Sequence, residues 1–194
     1  GHDYRPFLKR EGLRGARIGI PRTFFYDALP VAGRAAGIGG LSDLERRGMN
    51  DVMTILQAAG AVLVDPADVP SVADRDLSKN LLSWGVCAGP ADRRGADEAC
   101  SMVLKYGMKR DFGAWLKTLG ARAPVKSLTA LRTWNRAHVR EGAIRYGQSA
   151  LDISDEIDLV RDRARQQADR ARDLQLAGAH GIDEVMTSQR LDAL

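Results

Sequence analysis

Short apolar runs, each closed by proline, mark the first third of the chain, and helix-period stripes fill the rest. Ala16-Arg17-Ile18-Gly19-Ile20 ends at Pro21, and Ala61-Val62-Leu63-Val64-Asp65 ends at Pro66. Both read as strands. Gly19 inside so short a strand points to close backbone approach. Between them, Leu44, Met49, Val52, Met53, Leu56 and Ala59 recur at helical spacing, which predicts an amphipathic helix over Ser42–Ala59 with a buried stripe. Ser42 and Glu45 have the spacing of a capping box, and Gly60 stands where a left-handed residue ends a helix. Strand, helix, strand over residues 15–66 is a βαβ unit, and it implies parallel strands under a crossover helix. Val62–Val64, apolar on both faces, reads as a central strand. Pro21–Gly40 reads as a flexible linker.

From Leu77 to about residue 189 the pattern predicts a mostly helical layer. Leu77–Cys87 is one apolar segment containing Trp84. Gly89–Gly95 is a loop. Asp97–Leu119 is a helix with Met102, Val103, Tyr106 and Trp115. Ser127 opens another, with Leu128, Leu131, Trp134 and His138 on one side. The longest helix is expected from Asp155 to Ala179. Its apolar stripe is Ile153, Ile157, Val160, Ala164, Ala168, Ala171 and Leu174. Asp158–Arg161, Asp162–Arg165 and Asp169–Arg172 are expected as i,i+3 pairs on the solvated face. Arg190–Leu194 reads as the start of a third strand. The reading is thus α/β: a βαβ unit of a mixed sheet, a helical layer, and a strand at the end, in one piece of 194 residues.

The 44% hydrophobic and 28% charged content is that of a globular protein, and no apolar run reaches the roughly 20 residues of a membrane span. Gly1-His2 has the look of a cloning remnant, and no secretory leader follows it. The net charge of +4 is spread along the chain. Its least balanced stretch is Arg5–Arg22, where Phe24, Phe25 and Tyr26 follow the basic residues without interleaving. That argues against a nucleic-acid surface, which stacks bases on aromatics. Cys87 and Cys100 form no C-x-x-C pair and have no histidine cluster nearby. They read as free thiols of a reducing, cytoplasmic setting, with a disulfide as the lesser alternative, and no metal is expected.

Catalytic signatures are missing. There is no G-x-S-x-G elbow, S-x-x-K pair, H-E-x-x-H or phosphate loop. Of three histidines, His138 reads as a core-edge residue, and His180 as a partner of a helix C-terminus.

Five stretches carry a family resemblance. They are Leu13–Arg22, Gln57–Pro70, Leu104–Phe112, Ser127–Ser149 and Arg190–Leu194. In order and spacing they resemble a central part of the amidase signature family enzymes. The resemblance implies an amidase-type core and hydrolysis of a carboxamide by acyl transfer to serine, without metal or organic cofactor. The family's nucleophilic Ser, second Ser and Lys lie in a Gly/Ser-rich segment upstream of the matched region. No catalytic residue is therefore assigned here, and the chain is expected to be an internal fragment, inactive alone. Tyr146, Gln148 and Trp84 are the residues placed near a substrate cleft. Implied partners are a small-molecule amide and the remainder of the core, or self-association through exposed edges. The rival reading is a stand-alone helical interaction module that uses the alanine-rich helix face.

Overall fold

The computed structural model describes residues 2–9, 11–31, 34–89 and 94–194, with only the backbone of 31, 34 and 36. Gly1, Arg10 of the basic stretch and residues 90–93 of the expected loop lie outside the described residues. The chain forms two compact units, residues 1–81 with 175–194, and residues 82–174.

The first unit contains the βαβ motif. Strand β1 (Arg17–Gly19) pairs in parallel with β4 (Val62–Val64), with Ile18 opposite Leu63. Helix α1 (Asp43–Ala58) lies between them in sequence. Its capping box forms as the sequence predicts. The Ser42 hydroxyl accepts from the Glu45 N–H, and the Glu45 carboxylate accepts from the Ser42 N–H. Gly60 takes the left-handed conformation (φ 93°) just past the helix. The C-terminal segment completes the arrangement, because Ala193 bridges Ile18 in parallel. The central strand is therefore β1. Val62–Val64, expected at the centre, pairs only with β1 among the described residues, and Val62 is exposed.

Two further expectations are corrected in this unit. The stripe of α1 is mostly open: Leu44, Val52 and Ile55 are exposed, and only Met49, Met53 and Leu56 are half-buried among its apolar residues. Strands of three residues give a helix of sixteen too narrow a floor to cover a whole face. The segment read as a linker contains an antiparallel pair, β2 (Leu29–Val31) with β3 (Arg34–Ile38). Glycine and alanine there hid a ladder built from backbone hydrogen bonds. The unit's core is Ala67, Val69, Val72, Val185 and Leu191, with Phe24, Val64, Leu81 and Met186 against it. It joins helix α2 (Pro70–Ala73) to a π-helical segment Gln175–Ile182 and helix α7 (Asp183–Ser188).

The second unit begins with a parallel two-residue pair, β5 (Gly85–Val86) and β6 (Cys100–Ser101). Leu77–Cys87, read as one apolar segment of a mostly helical layer, consists of turns, a single 3-10 turn and a strand. Helix α3 spans Val103–Leu119, not Asp97–Leu119. Helix α4 (Leu128–Ala137) starts on its predicted cap, where the Ser127 hydroxyl accepts from the Ala130 N–H. Cys87 and Cys100 are joined as a disulfide, correcting the reading of free thiols. Pairing of β5 with β6 brings their Cα atoms to 5.1 Å, within the range a disulfide spans. A sequence separation with no local motif gave no hint of this.

The helix expected over Asp155–Ala179 is instead the last residue of α5 (Ser149–Asp155), a turn, α6 (Arg163–Leu174) and most of the π-helical segment. Asp158 causes the break. Its carboxylate accepts the N–H groups of Val160 and Arg161, closing a local turn in place of the expected pair with Arg161. The ion pairs form instead as Arg161–Asp162 and Arg165–Asp169. The faces of α6 are also reversed. Ala164, Ala168, Ala171 and Leu174 face out, whereas Gln166 and Asp169 are buried.

Candidate functional site

The second unit's interior is organised by charged residues whose partners come from its other elements. Asp169 and Asp173 stand one turn apart on α6. Asp169 accepts the N–H of Met102 at 3.0 Å and holds the guanidinium of Arg165 at 2.7 Å. Asp173 accepts from Trp84 Nε1 and from the Ser101 hydroxyl, both at 2.8 Å. Buried polar groups need such partners, and here a strand pair, a helix start and a tryptophan supply them.

A second cluster surrounds Lys105, which is 3% exposed although positively charged. Its ammonium lies 2.7 Å from Asp97 and also bonds Glu156. Glu156 further accepts from the Gly95 N–H and from Arg94. Burial pushes the Glu156 carboxyl up, but Lys105, the Gly95 amide and Arg94 outweigh it and hold it below its usual range.

A third cluster joins α4 to α5. Buried Arg132 donates to Asp152 and Asp155, and Arg136 adds a second donor to Asp152. Burial disfavours the charge on Arg132, yet the two carboxylates raise its pKa overall. Asp155 is treated oppositely. Burial raises it, while Arg132, Thr129 and Lys109 bring it net below the ordinary carboxylate value. Lys109 also donates to the carbonyls of Asp155 and Ile157.

These clusters bind and position; they do not assemble a nucleophile. Ser101 donates to a carboxylate, and no imidazole or amine bonds its oxygen among the described contacts. A serine held this way lacks the adjacent base that would take its proton. In the first unit, the hydroxyl of Ser71 is fully buried and has no hydrogen-bond partner among the described residues. His180 is held there between Glu184 (2.8 Å) and Asp74 (3.1 Å), and both carboxylates, Glu184 foremost, raise its pKa.

The residues singled out from the sequence stand apart. Trp84 is buried, with the Arg172 guanidinium 4.0 Å above its ring and Asp173 on its indole nitrogen. Gln148 precedes α5 and accepts from Asn135 at 3.2 Å. Tyr146, two residues earlier, is 92% exposed beneath the Arg145 side chain. No described contact joins Trp84 to the other two. His138 stacks on Trp134 at 3.9 Å between centroids, at the edge of α4. Reasoning from the sequence missed Lys105, Arg132 and Asp173. A signal was present for the first two: a Lys or Arg at the position a helix stripe assigns to the core. In the basic stretch Arg5 pairs with Asp3, Arg14 with Glu11 and Arg22 with Asp65.

With a parallel βαβ unit and a helical unit, the architecture is mixed α/β. Solved structures say which enzymes share it. The peptide amidase from Stenotrophomonas maltophilia superposes on 99% of this chain with a TM-score of 0.64 and 28% identity. The peptide amidase in complex with the competitive inhibitor chymostatin gives the same values. An amidase family protein from Bacillus anthracis matches 98% of the chain with a TM-score of 0.62 at 18% identity, a likeness of fold alone. The resemblance to amidase signature enzymes carried by the sequence is therefore matched by amidase-type structural neighbours. The chain spans 32% of the two peptide amidase structures' length and 29% of the third's. No protein-family model matches the sequence, and no curated protein matches it. Among the described residues no helix is long and apolar enough to cross a membrane.

Proposed function

We propose that this chain is part of an amide hydrolase of the amidase signature family, acting on a carboxamide by acyl transfer to a serine that lies outside the chain. The observation that carries the reading is a superposition over nearly the whole chain on peptide amidase at 28% identity. The enzyme's substrate is a small peptide amide. That follows the name of the neighbour and its complex with a competitive inhibitor. The role of this chain is structural: in one unit β1, β4 and the Ala193 segment extend a parallel sheet, and in the other the charged clusters fix the helices to one another. Tyr146 and Gln148 line the approach to the substrate, and Trp84 forms a wall behind it. The chain alone is inactive and associates with the rest of the core or with itself. A stand-alone helical module is not favoured, because the likeness to amidases runs through the sheet as well as the helices. The disulfide removes the thiol argument for a cytoplasmic setting, so a cytoplasmic location requires the Cys87–Cys100 pair to be reduced there.

The test is ammonia release from a C-terminally amidated dipeptide. A protein that joins this segment to the serine-bearing remainder of the core should release ammonia, and the 194-residue chain should not. Turnover by the chain alone would refute the reading, as would an inert joined protein.

A further inference from the structure

Cys87, Asp97 and Cys100 bring two sulfurs and a carboxylate oxygen within 4.8 Å of one another. We propose that, once the disulfide is reduced, these three residues bind a zinc-like divalent cation, with water as a fourth ligand. The inference does not depend on the amidase reading.

Three observations support it. First, contacts other than the disulfide hold the ligands in place. Arg165 Nη2 donates to the backbone carbonyls of both Asp97 (2.9 Å) and Cys100 (3.0 Å), and Asp169 fixes that guanidinium. The N–H of Cys87 donates to the Ser101 carbonyl at 2.8 Å. Cys87, just past β5, thus stays beside β6 and its Cys100 when the sulfurs part. Second, there is room. A cavity of about 160 Å³ is lined by Cys87, Asp97, Cys100 and Lys105. Thiolate and carboxylate ligands of a tetrahedral zinc lie about 3–4 Å apart, so a small side-chain movement suffices. Third, the charge balances. Two thiolates and Asp97, counted with Glu156, Lys105 and Arg94, become neutral when a dication enters. Two sulfurs and one oxygen suit zinc over magnesium or calcium, which prefer all-oxygen shells.

The chemistry needs a reductant, and a phosphine serves. The sulfur–sulfur bond breaks, and the phosphine takes the oxygen of one water to become a phosphine oxide. The two sulfurs take that water's two protons. Metal binding then releases both protons to solvent as two sulfur–metal bonds form.

The experiment reduces the full 194-residue chain with a phosphine, removes the reductant under inert gas and titrates with cobalt(II). The expected result is one equivalent bound, with a thiolate-to-cobalt charge-transfer band in the near ultraviolet and the visible bands of a four-coordinate site. Zinc should displace it. The oxidised protein and iodoacetamide-treated protein should show no such band. Cys100→Ser should lose most of it, and Asp97→Asn should bind at least about tenfold more weakly. Circular dichroism of the oxidised Asp97→Asn form checks its fold. If that variant does not fold, the cadmium-113 resonance of the reduced wild-type protein decides, and a shift typical of an all-oxygen shell refutes the site. Absence of the band in reduced wild-type protein would overturn the proposal, as would unchanged cobalt binding in a folded Asp97→Asn variant.

Discussion

Arg17 and Asp192, 175 residues apart, exchange a reciprocal pair of hydrogen bonds. The Asp192 carboxylate accepts the Arg17 N–H at 2.8 Å, and the Asp192 N–H donates to the Arg17 carbonyl at the same distance. The Arg17 guanidinium also donates to the carbonyls of Gln189 and Arg190. Together these bonds set the register in which Ala193 meets Ile18. Asp192→Ala should cost about 1 kcal/mol, because an ionised acceptor is lost at an exposed position. Asp192→Asn, which keeps an acceptor oxygen, should cost less. Urea unfolding of the three proteins measures the difference, and equal stabilities would deny the carboxylate this role.

Gly19 is the point of closest approach in the same sheet. A Cβ there would lie 2.5 Å from Leu191 Cδ1, 2.7 Å from Leu194 Cδ1 and 2.9 Å from Ala67 Cβ. Ala67 is fully buried, so it has nowhere to move. Gly19→Ala should therefore destabilise by roughly 1–3 kcal/mol, the usual range for overpacking. A thermal melt tests it. A neutral result would mean that the C-terminal leucines yield freely.

Arg132 is buried against two carboxylates. Arg132→Ala leaves Asp152 and Asp155 without their main counter-charge, and the expected loss is about 3–5 kcal/mol. The pH dependence has a definite sign. The folded pKa of Asp155 is depressed, so its contribution is present above the ordinary value of 3.8 and disappears as pH falls through the lower folded value. Removing Arg132 should shift the acid-unfolding midpoint upward. An unchanged midpoint would show that Asp155 does not depend on Arg132.

His180 has the opposite sign. Its folded pKa is raised, by Glu184 first and Asp74 second. Lys79 acts on the same Asp74. The stabilisation is complete below the ordinary value of 6.5 and is lost as pH rises through the raised folded value. The melting temperature should thus decline across neutral pH relative to a His180→Gln variant. Parallel pH profiles for the two proteins would rule the clamp out as a contributor.

Where local chemistry suffices, the fold can be read from residue order. Ser42 with Glu45, Ser127 and Gly60 mark helix boundaries because caps involve residues only a few positions apart. The βαβ unit was legible because proline closes both strands. Failures came where one pattern serves two structures. Aspartate three residues before arginine fits a helical ion pair, but Asp158 uses the same spacing to close a turn. The α6 stripe misled because alanine counts as apolar yet gains little from burial. Asp169 and Asp173 go inward, where donors await them. The disulfide depends on two short strands meeting, a non-local event that spacing does not encode. Of the candidate site, the sequence supplied Trp84, Gln148 and Tyr146 but not the ion clusters. Burial of Lys105 and Arg132 becomes favourable only once their carboxylates arrive from other elements.

The bond from Met102 N–H to Asp169 bears on the order of folding. Helix α3 has no side-chain cap of its own at Met102. A residue 67 positions later supplies the acceptor for that amide. Alone, α3 keeps a local acceptor for its next amide, Val103 N–H on the Ser101 hydroxyl, whereas the Met102 amide is left without this acceptor until α6 arrives. The Met102 amide is thus a built-in timer: in pulsed hydrogen exchange its protection should lag behind that of the α3 middle and coincide with docking of α6.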